Sequence, residues 1–267
     1  MKSVEIFSIG DELLRGIVLD TNASWIAKRV AARGASVRRF TTLPDEPAVA
    51  GAELRGAIAR APSLIVTQGG LGPTHDDRTR EALAIGTERA QERNAEAEAI
   101  VRRRFAELAA GGAVTDATLG PARMRMADLP AGGRALDNHV GTAPGIVLGL
   151  GTVTIVSLPG VPPELYWMWE NTLAPTLAEV LGPGGFAEVT FETDLLDESS
   201  IAHVLRSTQQ RHPDVYVKSR ASGYEQGDEV RITLAAAGSN DDDARAKIAA
   251  ATSDLRAALT AEGVTLQ

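Results

Sequence analysis

The chain has 267 residues, of which 44% are hydrophobic and only 4% aromatic, and its formal net charge is −8. This hydrophobic fraction is sufficient for the core of one large domain or two smaller ones. Because aromatic residues are scarce, the core must consist mainly of Ala, Val, Leu and Ile, which favours a layered α/β fold over a β-sandwich. The acidic balance argues against general duplex binding, which needs many phosphate-neutralising Lys and Arg side chains, but it is compatible with a small phosphorylated ligand.

Cysteine is absent from the sequence, which excludes disulfides, thiolate metal sites and cysteine nucleophiles. The N-terminal segment is interrupted too early to be a signal peptide, and no apolar run approaches the roughly 20 residues of a membrane span. We therefore expect a cytoplasmic protein that has no membrane partner.

The first 90 residues alternate between strand and helix patterns. Short apolar runs predict strands over residues 4–9, 36–42 and 64–67, and helical spacing predicts helices over 22–33 and 47–60. A further helix should begin near Arg78. This alternation predicts a mostly parallel sheet with right-handed crossovers.

The remaining chain predicts two regions separated by glycines. Helices are expected over residues 88–110, 121–129 and 165–181, with a strand over 152–158, and the Gly-Pro-Gly-Gly run at 182–185 is typical of a domain boundary. Beyond it we predict a strand over 187–193, a helix over 199–210, strands over 215–219 and 229–235, and a helix over 242–259. The sequence thus predicts an α/β domain over 1–181 and a small β-α-β-β-α domain over 186–267.

A glycine-rich segment, residues 67–77, follows the third strand and carries Gly69, Gly70 and Gly72. A turn of this kind between a strand and a helix exposes backbone N–H groups and the positive end of a helix dipole, which suits a phosphate group. The alternative is a tight connection with no function. The Thr and Asp residues in the same segment favour the functional interpretation.

The end of this segment carries two adjacent carboxylates, Asp76 and Asp77. Thr74 and Asp77 match a capping box, with Thr74 as N-cap, so Asp77 has a structural explanation and Asp76 is the better candidate metal ligand. Adjacent carboxylates repel each other unless a cation lies between them, which favours Mg²⁺ or a similar hard metal. His75 lies beside them and is a candidate acid, base or ligand.

Polar residues also occur where the other strands end. Glu12 follows the first strand, and Asp20 and Asn22 open the first helix. In a parallel sheet these positions share one edge with the glycine turn, and open α/β sheets bind ligands along that edge. Helix capping explains Asp20 and Asn22 equally well, and a solvated loop charge explains Glu12. The turns at 141–145 and 158–160 either present backbone groups to a ligand or simply end strands.

Five motifs occur in the order known from one family. They are Gly10-x-Glu12-Leu13-Leu14-x-Gly16, Leu19-Asp20-Thr21-Asn22, Gly69-Gly70-Leu71-Gly72-Pro73-Thr74-x-Asp76-Asp77-x-Thr79-x-Glu81-Ala82, Asn138-x-x-Gly141-Thr142-Ala143-Pro144-Gly145 and Leu158-Pro159-Gly160-Val161-Pro162-Pro163-Glu164. Over about residues 3–175 the sequence closely resembles the N-terminal portion of the competence/damage-inducible CinA family, a molybdopterin-binding-like domain. The β-α-β-β-α tail resembles the KH-type domain that follows it in CinA proteins.

This resemblance implies a three-layer α/β domain and metal-dependent hydrolysis of a nucleotide pyrophosphate, with ADP-ribose cut to AMP and ribose 5-phosphate. Related domains hydrolyse FAD, and the relatives that gave the domain its name bind molybdopterin and adenylylate it. It also implies a divalent metal (Mg, Mn or Co), no organic cofactor, a small nucleotide substrate and a homodimer. The alternatives are FAD hydrolysis and a molybdopterin-type or nucleotide-binding protein without hydrolysis.

The resemblance also assigns site residues. The catalytic residues would be Asp76, Asp77 and His75, and the metal ligands Asp76, Asp77, Glu12 and Asp20. The substrate-binding residues would be Gly10, Asn22, Gly69, Gly70, Gly72, Thr74, Asn138, Gly141, Thr142, Pro159, Gly160 and Glu164.

Two features depart from the family pattern, and a third argues against RNA binding by the tail. Full-length CinA proteins carry a further C-terminal domain with nicotinamide-nucleotide amidase activity, and this sequence ends at Gln267, so we expect that activity to be absent. His75 stands where many bacterial members have proline, and a histidine there resembles the FAD-hydrolysing branch. The tail lacks a Gly-x-x-Gly clamp in its first helix–turn region, so we expect no nucleic-acid partner.

Overall fold

The structure is a computed structural model that describes residues 2–193, 195, 197–221 and 230–264. The chain divides into two compact units, one made of residues 1–28 and 36–182 and the other of residues 29–35 and 183–267. No helix in the described ranges is long and apolar enough to cross a membrane.

The first unit contains a six-stranded sheet and its connecting helices. In chain order the elements are β1 (Ser3–Ile9), α1 (Asp11–Leu14), α2 (Thr21–Ala31), β2 (Ser36–Leu43), α3 (Pro47–Ala59), β3 (Leu64–Gln68), α4 (Thr79–Thr87), β4 (Gln91–Arg93), α5 (Ala95–Ala110), α6 (Pro121–Met124), β5 (Asp128–Pro130), β6 (Arg134–Leu136), β7 (Gly145–Leu150), β8 (Val153–Leu158), α7 (Pro162–Asn171) and α8 (Ala174–Leu181).

The strand order of the sheet is β2-β1-β3-β8-β7-β6. Strands β2, β1, β3 and β8 are parallel, whereas β7 pairs antiparallel with both β8 and β6. All five residues of β3 are buried, and since successive side chains point to opposite faces, both faces of the sheet are covered. The predicted mostly parallel α/β sheet is confirmed, and the carboxyl ends of its four parallel strands meet at one edge.

The prediction of a helix over residues 88–110 is wrong for its N-terminal residues. Glu88 has a left-handed conformation (φ 55°) and ends α4. Gln91–Arg93 then pairs with Asp128–Pro130 as a short antiparallel ladder, and α5 begins only after Asn94, whose side chain accepts a hydrogen bond from Ala97 N. The Ala-, Glu- and Arg-rich composition favours a helix locally, but pairing with a distant strand overrides that preference.

Two other predicted helices are also divided. Between residues 121 and 130 the chain forms α6, a 3₁₀ turn at Arg125–Ala127 and then strand β5. Between 162 and 181 it forms α7 and α8 in place of one continuous helix, with a break at Thr172 and Leu173. Pro175 lies in the first turn of α8, where its missing N–H removes no helical hydrogen bond.

The second unit contains a three-stranded antiparallel sheet packed against helices. Its elements are β9 (Gly185–Glu192), a 3₁₀ turn (Glu198–Ile201), α9 (Ala202–Arg211), β10 (Val215–Ala221), β11 (Val230–Gly238) and α10 (Asp241–Ala261), with strand order β10-β11-β9. The β-α-β-β-α order agrees with the prediction, except that residue 229 lies outside the described residues. Ile232, Leu234 and Leu255 are fully buried in its separate core.

Gly69 is a position in the first unit where the fold leaves no room for a side chain. Its φ is +95°, and a Cβ added there would lie 2.2 Å from the carbonyl oxygen of Ile9. We predict that Gly69→Ala lowers the free energy of unfolding of the first unit by at least about 2 kcal/mol, because it combines backbone strain with a clash against rigid backbone.

Chemical denaturation of Gly69→Ala beside Gly149→Ala measures this effect. A Cβ at Gly149 meets no atom within 4 Å, so the control should stay within about 0.5 kcal/mol of the wild type. Equal stability of the two variants would contradict the close packing described for Gly69.

Candidate active site

A cleft of about 620 Å³ lies in the first unit, at the carboxyl edge of the parallel strands. Segments that follow β1, β2, β3 and β8 line it, together with residues from the loop before α2 and from the loop before β7. Its lining residues are Ile9, Gly10, Glu12, Leu13, Val18, Leu19, Asp20, Thr21, Asn22, Asp45, Gln68, Gly69, Gly70, Leu71, Gly72, Pro73, Asp76, Asp77, Thr142, Ala143, Pro159, Gly160, Val161, Pro162 and Glu164.

The glycine turn is held to the ends of two other strands. The Gly69 N–H donates to Leu158 O at 3.0 Å, so the expectation that this N–H binds phosphate is wrong. Thr79 bonds back to the turn through its hydroxyl, which donates to Gly69 O at 2.7 Å. Within the described ranges no hydrogen bond uses the N–H of Gly70 or Gly72, and both residues line the cleft. Among the three glycines of the turn, Gly70 and Gly72 therefore keep an N–H group that is available to a ligand.

Two arginines that the sequence interpretation missed hold the carbonyl oxygens of this turn. Arg80 donates to Leu71 O at 2.5 Å and to Gly72 O at 2.9 Å. Arg125 donates to Pro73 O at 3.2 Å and also to the carbonyl of Thr74. Burial lowers the pKa of Arg80 to about 10, which leaves its guanidinium charged at neutral pH.

The capping-box interpretation of Thr74 is wrong, because α4 begins at Thr79 and Thr74 lies in the preceding turn. Asp77 closes that turn: its Oδ2 accepts from Thr74 N at 2.8 Å and from Thr74 Oγ1 at 2.5 Å. Asp76 also accepts a hydrogen bond from the Thr74 hydroxyl, which lowers the pKa of Asp76. His75 points into solvent, with a side chain that is 98% exposed and Nδ1 at 3.9 Å from Asp76.

Asp20 and Asn22 form a hydrogen-bonded chain with Gln68. Asp20 caps α2 by accepting from Ala23 N at 2.9 Å, and it also accepts from Ser8 Oγ at 2.5 Å and from Gln68 Nε2 at 3.1 Å. Asn22 Nδ2 donates to Gln68 Oε1 and Gly160 O, each at 2.8 Å. The capping interpretation of Asp20 is confirmed, while Asn22 ties the ends of β3 and β8 together.

An acidic wall lies on the β1–β2 side of the cleft, formed by Glu12 and by Asp45, which follows β2. Asp45 Oδ2 accepts from Asp11 N at 2.9 Å. Burial raises the pKa of Asp45, the Asp11 N–H bond opposes that rise, and the negative charges of Glu12, Asp11 and Asp76 add to it. Asp45 is not among the residues expected from the sequence, although a carboxylate this soon after a parallel strand indicates a place at the ligand edge of the sheet.

The carboxylates of the cleft suit a metal ion only if other ligands complete its coordination shell. No group of three or more His, Asp or Glu side chains in the described part of the chain is arranged to hold a metal by itself. Asp20 is occupied by three hydrogen bonds, and Asp77 by its bonds to Thr74. The exposed carboxylates fit a hard cation such as Mg²⁺, which binds one or two carboxylates and completes its shell with phosphate oxygens and water.

Glu164 lies in the first turn of α7, on the side of the cleft away from Glu12 and Asp45. Asn138, which is fully buried, donates to Glu164 Oε2 at 2.7 Å and to Ala143 O at 3.0 Å. A Cβ at Gly141 would overlap the Glu164 carboxylate. Burial raises the pKa of Glu164, and the Asn138 hydrogen bond and the charge of Arg104 act in the opposite direction.

The structure brings most of the expected site residues to this one cleft. Thirteen line it: Gly10, Glu12, Asp20, Asn22, Gly69, Gly70, Gly72, Asp76, Asp77, Thr142, Pro159, Gly160 and Glu164. Four expected residues do not line it: Thr74, His75, Asn138 and Gly141. Of these, Thr74 and Asn138 hold residues that do, so they position the cleft.

The fold and the cleft define an α/β protein with a ligand site at the carboxyl edge of a parallel sheet. The family described as "Probable molybdopterin binding domain" matches residues 5–179, and the chain belongs to this family. A crystal structure of CinA from Thermoplasma acidophilum, described as a protein of unknown function, is similar with a TM-score of 0.59 and 29% identity, over 67% of this chain and 99% of that one. The first unit is thus a CinA-type domain.

Two archaeal relatives are similar over most of their length. A protein of Aeropyrum pernix is 36% identical over 91% of this chain and 88% of its own. A protein of Pyrobaculum aerophilum is 39% identical over 84% of this chain and 82% of its own. The similarity therefore extends beyond residue 179 into the second unit.

The raised pKa of Glu164 predicts a pH-dependent stability. Because this carboxyl has a higher pKa in the folded than in the unfolded state, the stability it contributes is present below its ordinary pKa of 4.5 and is lost as pH rises through the folded value. Thermal unfolding of Glu164→Gln should match the wild type at about pH 4 and show a higher Tm than the wild type at about pH 8.

The Glu179→Gln variant corrects this comparison for the loss of one charge, since Glu179 is exposed in the neighbouring helix α8. A stability difference for Glu164→Gln that shrinks as the pH rises would contradict the account.

Proposed function

We propose that this chain is a metal-dependent hydrolase of a nucleotide pyrophosphate, with ADP-ribose, cut to AMP and ribose 5-phosphate, as the leading substrate. The observation that carries the proposal is the glycine turn: Gly70 and Gly72 line a cleft that also holds carboxylates, and no hydrogen bond in the described part of the chain uses their N–H groups. Free N–H groups suit phosphate oxygens, and neighbouring carboxylates suit the cation that accompanies them.

In this proposal the N–H groups of Gly70 and Gly72 bind phosphate oxygens and stabilise the negative charge that develops on them. Asp76, with Glu12 or Asp45, would hold the divalent metal, and phosphate oxygens and water would supply its other ligands. When bound, such a metal neutralises phosphate charge and makes a water molecule a better nucleophile. Burial raises the pKa of Glu164 above its ordinary value, which is the direction that favours a general acid.

Product analysis tests the reaction directly. Purified protein is incubated with ADP-ribose, FAD or NADH in the presence of Mg²⁺, Mn²⁺ or Co²⁺, and AMP is quantified by chromatography. We expect AMP release from ADP-ribose that depends on the metal. The absence of AMP with every substrate and metal would overturn the proposal.

Asp76→Ala tests the metal assignment. We expect AMP release to fall at least about 100-fold, because a carboxylate ligand beside the reacting phosphates is lost. The fold should remain intact, since the Asp76 side chain is 59% exposed. Glu81→Ala serves as the control, because Glu81 is a partly exposed carboxylate of α4 that pairs with Arg78. Full activity in Asp76→Ala would refute the assignment.

The rival is a binding protein of the molybdopterin type that does not hydrolyse its ligand. The observation that favours it is that no three-carboxylate or histidine group able to hold a metal alone occurs among the described residues. It predicts tight nucleotide or pterin binding by calorimetry, together with no product in the AMP assay.

A further inference from the structure

Arg80 is a buried cation that hydrogen-bonds only to backbone. It is 3% exposed, and its guanidinium donates to the carbonyl oxygens of Leu71 and Gly72. No carboxylate lies within ion-pair distance of it in the described ranges. Burial of a charge is costly, and the carboxylates of Asp77, Asp128 and Glu81 offset that cost only through longer-range attraction.

The geometry of the peptide unit connects Arg80 to the cleft. In a trans peptide the C=O of one residue and the N–H of the next point in opposite directions. The bond from Arg80 to Leu71 O therefore turns the Gly72 N–H away from Arg80. Gly72 lines the cleft, whereas Arg80 does not. Hydrogen bonds in series polarise each other, so the guanidinium also makes the Gly72 N–H a stronger donor.

Arg125 extends the same arrangement along the turn. It donates to the carbonyls of Pro73 and Thr74, and its own Nε is buried without a partner. Together the two arginines hold four consecutive carbonyl oxygens, those of residues 71–74. The negative charge of Asp77 favours the charged form of Arg80, whereas the positive charge of Arg125 opposes it.

We propose that Arg80 and Arg125 are positioning residues for a diphosphate group: Arg80 holds Leu71 O so that the Gly72 N–H on the opposite side of that peptide donates to a phosphate oxygen, and Arg125 fixes the backbone of Pro73 and Thr74 that follows. The inference deepens the proposed function at the same site. It requires only that the turn binds a diphosphate, and it does not require hydrolysis.

Calorimetry with inorganic pyrophosphate and with ADP-ribose, on the full chain, measures the effect. Arg80→Met and Arg125→Met should each weaken pyrophosphate binding at least about tenfold, the change expected when a charge-assisted hydrogen bond is lost. Arg80→Lys should bind with an affinity between those of Arg80→Met and the wild type. Its ammonium keeps the charge but cannot span both carbonyls as the guanidinium does.

Arg78→Met is the matched control. Arg78 precedes α4, is exposed, and pairs with Glu81 through its Nε at 3.0 Å and its Nη2 at 2.6 Å, so its loss should leave pyrophosphate affinity unchanged within about twofold. Thermal unfolding of every variant identifies those that fold. If Arg80→Met does not fold, Arg80→Lys and Arg125→Met carry the test.

Two results would overturn the inference. One is wild-type affinity for pyrophosphate in folded Arg80→Met and Arg125→Met, and the other is a wild-type chain that binds neither pyrophosphate nor ADP-ribose. Arginine-dependent binding without any AMP release would support the inference and refute only the hydrolysis proposed above.

Discussion

The structure of the first unit depends on the close approach of Gly69 to its neighbours. Its N–H donates to Leu158 O at 3.0 Å, and the Ile9 carbonyl occupies the space that a side chain would need. This single glycine therefore ties together the carboxyl ends of β1, β3 and β8. The remaining parts of the cleft lie where they do because these three strand ends are fixed relative to one another.

The rest of the site consists of two chemically different walls joined by the turn. On one side, Glu12 and Asp45 place negative charge beside the ends of β1 and β2. Behind the turn, Arg80 places positive charge that is shielded from solvent. The carboxylates on one side of the turn suit a cation, and the N–H groups of the turn suit an anion. A phosphate that carries a metal ion needs both kinds of group close together.

The parallel strands and the position of the cleft could be predicted from the sequence, because local signals determine them. Each central strand is a short apolar run that stops at a glycine or proline, and parallel strands bring their carboxyl ends to one edge. Most of the expected ligand residues line the cleft for this reason. Asp45 obeys the same rule after β2 and was predictable in principle.

Non-local contacts account for what the sequence could not predict. Residues 91–93 form a strand only because residues 128–130 pair with them. The residues around Arg80 in the sequence are typical of an exposed helix position. Arg80 is buried because the preceding turn folds over its guanidinium and accepts its hydrogen bonds. Likewise, Thr74 matches a capping box, yet the chain makes a separate turn before α4 begins at Thr79.

The central claim is that the turn at residues 69–77 binds the phosphates of a nucleotide. Titration of ¹⁵N-labelled protein with ADP-ribose, followed through the backbone amide resonances, tests it most directly. The account predicts that the Gly70 and Gly72 amides show large, saturable shifts, whereas the Gly69 amide, already bonded to Leu158 O, shifts less. Saturable binding that leaves the Gly70 and Gly72 amides unshifted would contradict it.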